Sequence, residues 1–492
     1  MSDIVINKKD DVFIKVDCET DIAHELSDFF TFKVPGAHFM PAYKSRAWDG
    51  KIRLFNVFGG ELYGGLQHYV IEFANRRNLT VEYPECNNTI SLEDIKSFST
   101  ELNPCANDTP ITPYDYQIRA VHHAINKDRA LLLSPTSSGK SFMIYSLIQY
   151  YRNTSDRKIL IIVPTTSLVE QMYKDFADYS SELDPSFADD NCHMIYSGKD
   201  HKTDKQIIIT TWQSIYKKKK DWFAQFGTTI GDEAHGFKSK SLTSIMTKLV
   251  DCPHKFGFTG TLDGTTTHRL VLEGLFGPVH KVITTKDLMD SNTISRLSIE
   301  AITLQYSDEA KKEVKQKTYK EEIDWIVNHP KRNKFICDIA LSREDNTLVL
   351  FQFVEKHGKK LYEELKKREP ERPIFFVSGK VKIDVREEIR EITERSRNAI
   401  IVASYGTYST GINIRNLHNI IFAHPSKSRI RNLQSVGRGL RKAEGKEKAT
   451  LFDISDDLSW KKHKNYSLKH FIERVKIYNT EKFDYKLRSI RL

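Results

Sequence analysis

The sequence predicts an α/β protein: two tandem parallel-sheet lobes preceded by a small α/β N-terminal domain. Three observations predict it. The chain has 492 residues, too many for one hydrophobic core. From residue 112 to 285, and again from 286 to 455, apolar runs of strand length alternate with stretches of helical spacing. That is the pattern of a parallel sheet covered on both faces. Residues 1–100 carry short alternating segments and paired glycines instead.

In the N-terminal domain, Val12 to Val16 alternates like a strand, and Asp21 to Phe30 has the spacing of an amphipathic helix with an acidic start. Asp49-Gly50, between two apolar-aromatic flanks, predicts a β-hairpin. Across it, Lys44, Arg46, Lys51 and Arg53 interleave with Tyr43, Trp48 and Phe55. Such basic groups suit phosphates and such aromatics suit bases. The same aromatics would equally serve as the core of a small sheet, with the charges on its wet face. Gly59-Gly60 and Gly64-Gly65 mark further turns, and Phe98 to Pro113, rich in Ser, Thr, Asn and Pro, reads as a linker.

The first lobe offers strands at Ala130–Leu133, Ile159–Val163, Gln206–Thr210, Thr228–Gly231 and Lys255–Phe258. The second offers Ile299–Leu304, Thr347–Phe351, Ile374–Val377, Ala399–Ala403, Asn419–Ala423 and Ala449–Phe452. Two blocks of similar size suggest a duplicated core. Residues 456–492 form a basic, aromatic tail expected to be helical.

Composition narrows the class. A net charge of +10 favours a polyanionic partner. Six cysteines without close pairs argue against a zinc ribbon and a disulfide framework, and fit a reducing cytoplasm. No apolar run has the length of a transmembrane helix, and the first residues are too polar for a signal peptide, so no membrane partner is expected.

The chemistry begins at SPTSSGKS, Ser134 to Ser141, between a buried-strand pattern and a helix pattern. Strand, tight loop and helix is the setting of a phosphate-binding loop, whose N–H groups and helix dipole face one point. Pro135, Thr136, Ser137, Ser138 and Gly139 would line it, Lys140 would reach the β- and γ-phosphates of ATP, and Ser141 would ligate Mg²⁺. The motif's first glycine is Ser134 here, which leaves Gly139 as the only glycine in the loop.

Asp232-Glu233-Ala234-His235 follows an apolar strand. Carboxylates at a strand's carboxyl end, downstream of a phosphate loop, have a clear use. Asp232 can hold Mg²⁺ and Glu233 can orient and deprotonate the attacking water. In the second block, Arg438 and Arg441 stand at i, i+3, placing two guanidinium forks on one helix face, suited to phosphate oxygens in a transition state. Lys217 to Lys220 is an unbroken lysine run that reads as a solvated loop before it reads as a contact.

The order of these motifs resembles a superfamily 2 DEAH-type helicase, with two RecA-like lobes. Tyr116-Gln117 resembles its glutamine motif, Val163-Pro164-Thr165-Thr166 its motif Ia, and Thr210-Thr211-Trp212-Gln213 its motif Ib. Thr259-Gly260-Thr261 stands at the motif that couples hydrolysis to domain movement. YSTGIN, Tyr408 to Asn413, resembles motif V, and Gln434 to Arg441 matches the QxxGRxxR of motif VI. PTSSGKS, SYGTYSTGI and the early FFTF…WDGKIRLF segment narrow the resemblance to the UvsW-type recombination-repair helicases of T4-like phages.

That resemblance implies that Gln117 reads the adenine edge and that Gly411 lies at the nucleotide. It implies nucleic-acid contacts at Thr165, Thr166, Thr211, Trp212, Ser378, Gly379 and Thr410. It further implies ATP-driven work on branched or duplex DNA and DNA–RNA hybrids: branch migration, fork regression, and D-loop and R-loop unwinding. A monomer in the cytoplasm of a phage's host is the expected setting. His424, after a strand, is open between a structural and a nucleotide-sensing role. An RNA helicase, a restriction-system motor and an ATP-binding clamp without turnover are the competing readings; the polymer that stimulates hydrolysis separates them.

Overall fold

The computed structural model describes residues 2–34, 36–84, 89–106, 109–196, 198, 200–262, 265–407, 414, 416–425, 437, 440 and 446–492. It divides into two compact units, Met1–Ser134 with Gly139–Val282, and Ile283–Leu492 with Pro135–Ser138.

The first unit is built on a seven-stranded sheet. In chain order its strands are Arg129–Leu133, Lys158–Val163, Cys192–Ile195, Ile207–Thr211, Phe226–Asp232, His254–Thr259 and Val279–Lys281. All pairs are parallel, and the spatial order is third, fourth, second, fifth, sixth, first, seventh. The apolar runs explain the architecture. Alternate residues of each run pack on opposite faces, Ile159, Ile161, Ile207 and Ile209 into one core and Leu160, Ile162 and Ile208 into the other. Cys192–Ile195 and Val279–Lys281 escape the sequence reading because they are short, mixed edge strands.

The second unit repeats the plan with strands Arg296–Gln305, Thr347–Phe351, Ile374–Val377, Ile400–Ser404, Asn419–Phe422, Lys448–Asp457 and Tyr485–Arg491. They are parallel and follow the same spatial order as the first sheet. The shared order establishes two RecA-like lobes in tandem.

Three expectations are corrected. Asp49-Gly50 makes a turn, with Gly50 at φ 77°, but not a two-residue hairpin. Lys51–Arg53 pairs with Thr31–Lys33, and the short helix Pro41–Lys44 lies between them. The Asp49 carboxylate instead holds its own loop, accepting from Arg53 Nη2 at 2.5 Å and Lys51 N at 3.1 Å. The Phe98–Pro113 linker starts inside the helix Leu92–Glu101, which Ser91 and Asp94 open with a capping box, and ends in a small two-stranded ribbon.

The helical tail is half strand. Helix Tyr466–Thr480 is followed by Tyr485–Arg491, the seventh strand of the second sheet. Buried polar bonds lock this piece in place. Asp453 accepts from Arg474 Nε at 2.9 Å and Tyr478 OH at 2.8 Å. Glu322 satisfies the start of the helix, accepting from Tyr466 N at 3.0 Å and Ser467 N at 2.7 Å. Tyr485–Arg491 alternates charged and apolar residues because it is a largely exposed edge, so its sequence carries no buried-strand signal.

The N-terminal module is a four-stranded sheet ordered Glu61–Tyr63, Phe13–Cys18, Ile4–Lys8, Val81–Glu82. Helices Thr20–Phe29 and Gln67–Arg76 supply its core with Leu26, Val70 and Phe73, against Ile4, Ile6, Ile14 and Val16. Among the described residues, no helix is long and apolar enough to cross a membrane.

Candidate nucleotide and nucleic-acid site

Parallel strands in register bring the motifs of the first lobe to one edge. Leu133 pairs with Thr259, Phe258 with Asp232, Gly231 with Ile162, and Val163 with Thr211. The phosphate loop, the acidic pair, Thr259-Gly260-Thr261, Thr165 and Thr211 therefore all leave the carboxyl ends of neighbouring strands. Ligands of open α/β sheets bind at this edge.

The loop is tight without its first glycine. Ser134 is buried, its N–H donates to Thr259 O at 2.8 Å, and it does not adopt a positive φ. The left-handed positions are Ser137, at φ 69°, and Gly139, at φ 77°. Strain at Ser137 is of the kind that binding loops retain. At Gly139 any other side chain would be strained by the left-handed backbone, and its Cβ would displace Gln117 Nε2, 2.2 Å away. Ser138 closes the turn, its Oγ donating to Pro135 O at 2.7 Å.

Helix Lys140–Thr154 starts with no side-chain cap and no acidic residue in its first turn. Its first N–H groups are left for an anion. Lys140 Nζ folds back to Ser134 O at 3.4 Å, and Ser141 Oγ lies 2.8 Å from Tyr179 OH. Gln117 is 5% exposed, and its Oε1 accepts from Tyr114 N at 2.9 Å in the capping box of helix Asp115–Lys127. Its carbonyl is thus fixed by its own helix while its amide backs Gly139.

Asp232 is 9% exposed, and its Oδ1 finds no hydrogen-bond donor among the described residues. Burial, then the Glu233 charge, pushes its carboxyl up to about 6. A buried, unbonded carboxylate oxygen at the carboxyl ends of the strands, one strand removed from the one that leads into the phosphate loop, fits a hard cation with few protein ligands, as Mg²⁺ prefers. The expected outcome is that the Mg²⁺ needed for half-maximal turnover rises about tenfold per pH unit below about 6, as Asp232 takes up a proton. A metal titration of activity at several pH values checks this; an unchanged requirement removes Asp232 as the ligand. The metal-free fold holds this proton more tightly than the unfolded chain, so its stabilising contribution is lost as pH rises through about 6.

Glu233 sits at φ 50° in the left-handed region, which turns its side chain off the strand line. His235 Nδ1 lies 3.2 Å from Glu233 Oε2 and 3.1 Å from Thr259 Oγ1, and Thr259 Oγ1 donates to Thr261 O at 3.0 Å. The acidic motif and the Thr-Gly-Thr motif are therefore wired together through His235. Sequence reasoning did not give His235 or Tyr179 this part. The histidine of the DEAH motif was the available signal for the first, and none marked the second.

Thr165 caps helix Thr166–Ser180, with Thr166 exposed at its first turn. Thr211 is buried, its Oγ1 3.0 Å from Ser214 Oγ, and Trp212 is half-buried against the lobe core and Tyr216. In the N-terminal module, Lys44 and Arg46 are exposed beside exposed Phe39, Met40 and Tyr43. Trp48 is half-buried, with Nε1 donating to Lys51 O at 2.8 Å, and Arg53 is engaged by Asp49.

In the second unit, Ser378 and Gly379 follow strand Ile374–Val377, and their carbonyls accept from Arg386 Nη2 at 3.4 and 3.2 Å. His424 is buried, with its carbonyl accepting from Tyr405 OH at 3.2 Å and its ring edge-on to Phe353, which favours the structural role. Thr410, Gly411, Arg438 and Arg441 lie outside the described residues.

A phosphate loop and acidic pair on one RecA-like sheet, followed by a second sheet of the same order, define a superfamily 2 helicase. Comparison with known proteins agrees. The family model described as "Type III restriction enzyme, res subunit" matches residues 110–264, "Helicase conserved C-terminal domain" matches 331–443, and "DNA helicase UvsW, N-terminal" matches 3–83. The chain is 36% identical over 512 residues to the ATP-dependent DNA helicase uvsW of Enterobacteria phage T4, with 100% of both covered. It is 26% identical over 198 residues to the DNA 3'-5' translocase XPB2 of Sulfurisphaera tokodaii, over 40% of this chain and 42% of that one. The crystal structure of T4 UvsW matches with a TM-score of 0.53 and 34% identity, covering 99% of each chain. The type ISP restriction-modification enzyme LlaBIII bound to DNA shares the fold at 17% identity and a TM-score of 0.56, over 78% of this chain and 32% of that one. The chain belongs to the UvsW helicase family.

Proposed function

We propose that this chain hydrolyses ATP to remodel branched DNA in phage recombination and repair. The observation that carries the reading is the convergence of Lys140, Ser141, Asp232 and Glu233 on one sheet edge, with an unbonded Asp232 oxygen among them. Lys140 and the uncapped helix N-terminus hold the β- and γ-phosphates. Ser141 and Asp232 would hold Mg²⁺, which supplies positive charge to the phosphate oxygens when bound. Glu233 orients the attacking water and accepts its proton. Arg438 and Arg441 are the proposed source of the remaining charge on the transferring phosphoryl group, and Gln117 and Gly411 the proposed contacts to the nucleotide.

The tracked strand is proposed to pass Thr165, Thr166, Thr211 and Trp212 on the first lobe, and Ser378, Gly379 and Thr410 on the second. Lys44, Arg46, Trp48, Lys51 and Arg53 are proposed to meet the junction. Exposed Lys44 and Arg46 next to exposed Phe39 and Tyr43 support this, because phosphate neutralisation and base stacking are then offered side by side. Replacing Lys44 and Arg46 together by Ala is expected to weaken fork binding and to lower the salt slope of log K by about two units. Fork affinity and slope equal to the unmodified protein's would return these residues to a solvated face.

The deciding experiment is ATP turnover with no polymer, single-stranded DNA, duplex DNA, forked DNA, an R-loop and structured RNA. Stimulation by forked DNA and R-loops is expected, from a monomer working in the host cytoplasm. Stimulation by RNA alone would make the chain an RNA helicase, and no turnover with any polymer would leave an ATP-binding clamp.

A further inference from the structure

Helix Thr266–Phe276 begins a few residues after Thr259-Gly260-Thr261 and belongs to two cores at once. Leu272, Leu275 and Phe276 pack in the core of the first lobe, where Phe276 meets Phe237 edge-on with ring centroids 5.0 Å apart. Phe237 lies in the turn Ala234–Lys238 directly after Glu233. From the same turn Lys238 Nζ donates to His268 Nδ1 at 3.2 Å. Leu270, 5% exposed, instead packs with Leu62, Leu66 and Val70 in the core of the N-terminal module.

Glu273 fixes the joint. It is 1% exposed, and both carboxylate oxygens are used. Oε2 accepts from Tyr69 OH of the module at 2.8 Å. Oε1 accepts from Arg269 Nε and Nη2 at 3.1 Å and from Val279 N of the edge strand at 3.2 Å. The two pieces also approach without room for a side chain at either glycine: a Cβ on Gly65 would stand 2.0 Å from Glu273 O, and one on Gly274 would stand 2.9 Å from Tyr63 Cβ. A buried carboxylate holding three elements resists sliding, because any displacement leaves a buried charge short of partners.

We propose that helix Thr266–Phe276 transmits the nucleotide state of the ATP site to the N-terminal module, with Glu273 and Tyr69 as the positioning pair. A change at Glu233 reaches Thr259 through His235 and reaches the helix through Lys238–His268 and Phe237–Phe276. The helix cannot shift without moving Leu270 and Tyr69. The junction-binding surface of the module is thereby biased by what the phosphate loop holds, and by linkage a bound junction biases the ATP site in return. This rests on the function proposed above.

The test uses the full chain and Tyr69→Phe, which removes the hydroxyl bonded to Glu273 and leaves the ring packing. Fork affinity is measured with a non-hydrolysable ATP analogue and with ADP, alongside turnover with and without forked DNA. In the unmodified protein the two affinities are expected to differ. In Tyr69→Phe their ratio is expected to fall about fivefold, within the usual span of such couplings, with turnover in the absence of DNA unchanged. Leu270→Ala, which loosens the same joint by packing alone, is expected to lower the ratio too. Variants in which both affinities drop but their ratio holds would overturn the inference, because that is the mark of a bond that only stabilises. Fork-stimulated turnover with equal affinities in both nucleotide states in the unmodified protein would also overturn it and leave the proposed function standing. Absence of fork-stimulated turnover would instead remove the function itself.

Discussion

Glu233→Gln is expected to lower ATP turnover by about 10²–10⁴-fold, the usual worth of a positioned general base, while ATP stays bound. The change is nearly isosteric. Gln is not β-branched, so the left-handed backbone at this position, φ 50°, is no harder to hold than with Glu. The Gln carbonyl oxygen can still accept from His235 Nδ1, which lies 3.2 Å from the Glu233 carboxylate. What is lost is the negative charge and the proposed proton acceptor. Single-turnover hydrolysis and ATP-analogue binding, measured together, check the split. Turnover within a few-fold of the unmodified protein would remove Glu233 from the reaction.

Lys140→Ala is expected to lower turnover by about 10²–10³-fold, the cost of deleting one preorganised cationic donor, and to weaken ATP binding as well. Ala is the best helix former, and helix Lys140–Thr154 keeps its buried face of Phe142, Met143, Ile144 and Leu147. The fold is therefore expected to survive, with an unchanged circular dichroism spectrum. The pair of variants is diagnostic because a phosphate contact acts in both ground and transition states, whereas a water-activating carboxylate acts only in the transition state. Lys140→Ala retaining full nucleotide affinity would place the phosphates elsewhere.

The two joints that tie added pieces to the lobes differ in how they appear in sequence. Asp453 and Arg474 are 21 positions apart, and Glu322 reaches helix Tyr466–Thr480 from 144 positions away. Glu273 and Tyr69 are separated by 204 positions. Nothing local to any of these residues distinguishes a buried partner from a solvated charge. Asp49-Gly50 misled for a related reason. Its turn chemistry is real, but the strand that pairs with Lys51–Arg53 was decided by the module core, where Phe30 and Phe55 are both buried.

The placement of the phosphate-loop and acidic motifs at strand ends was legible in sequence alone. Ser134 to Ser141 and Asp232-Glu233 each follow an apolar run that is buried whatever surrounds it, and polar residues at the end of such a run emerge at the sheet edge. The alternation of strands and helices sufficed for the two lobes for the same reason: central parallel strands are apolar on both faces and carry their own signal. Tertiary structure decided the rest. Edge strands such as Val279–Lys281 and Tyr485–Arg491 are exposed on one side and lose that signal. Helix Thr266–Phe276, divided between two cores, shows its role only once both are folded, because each of its faces is satisfied by residues far away in the chain.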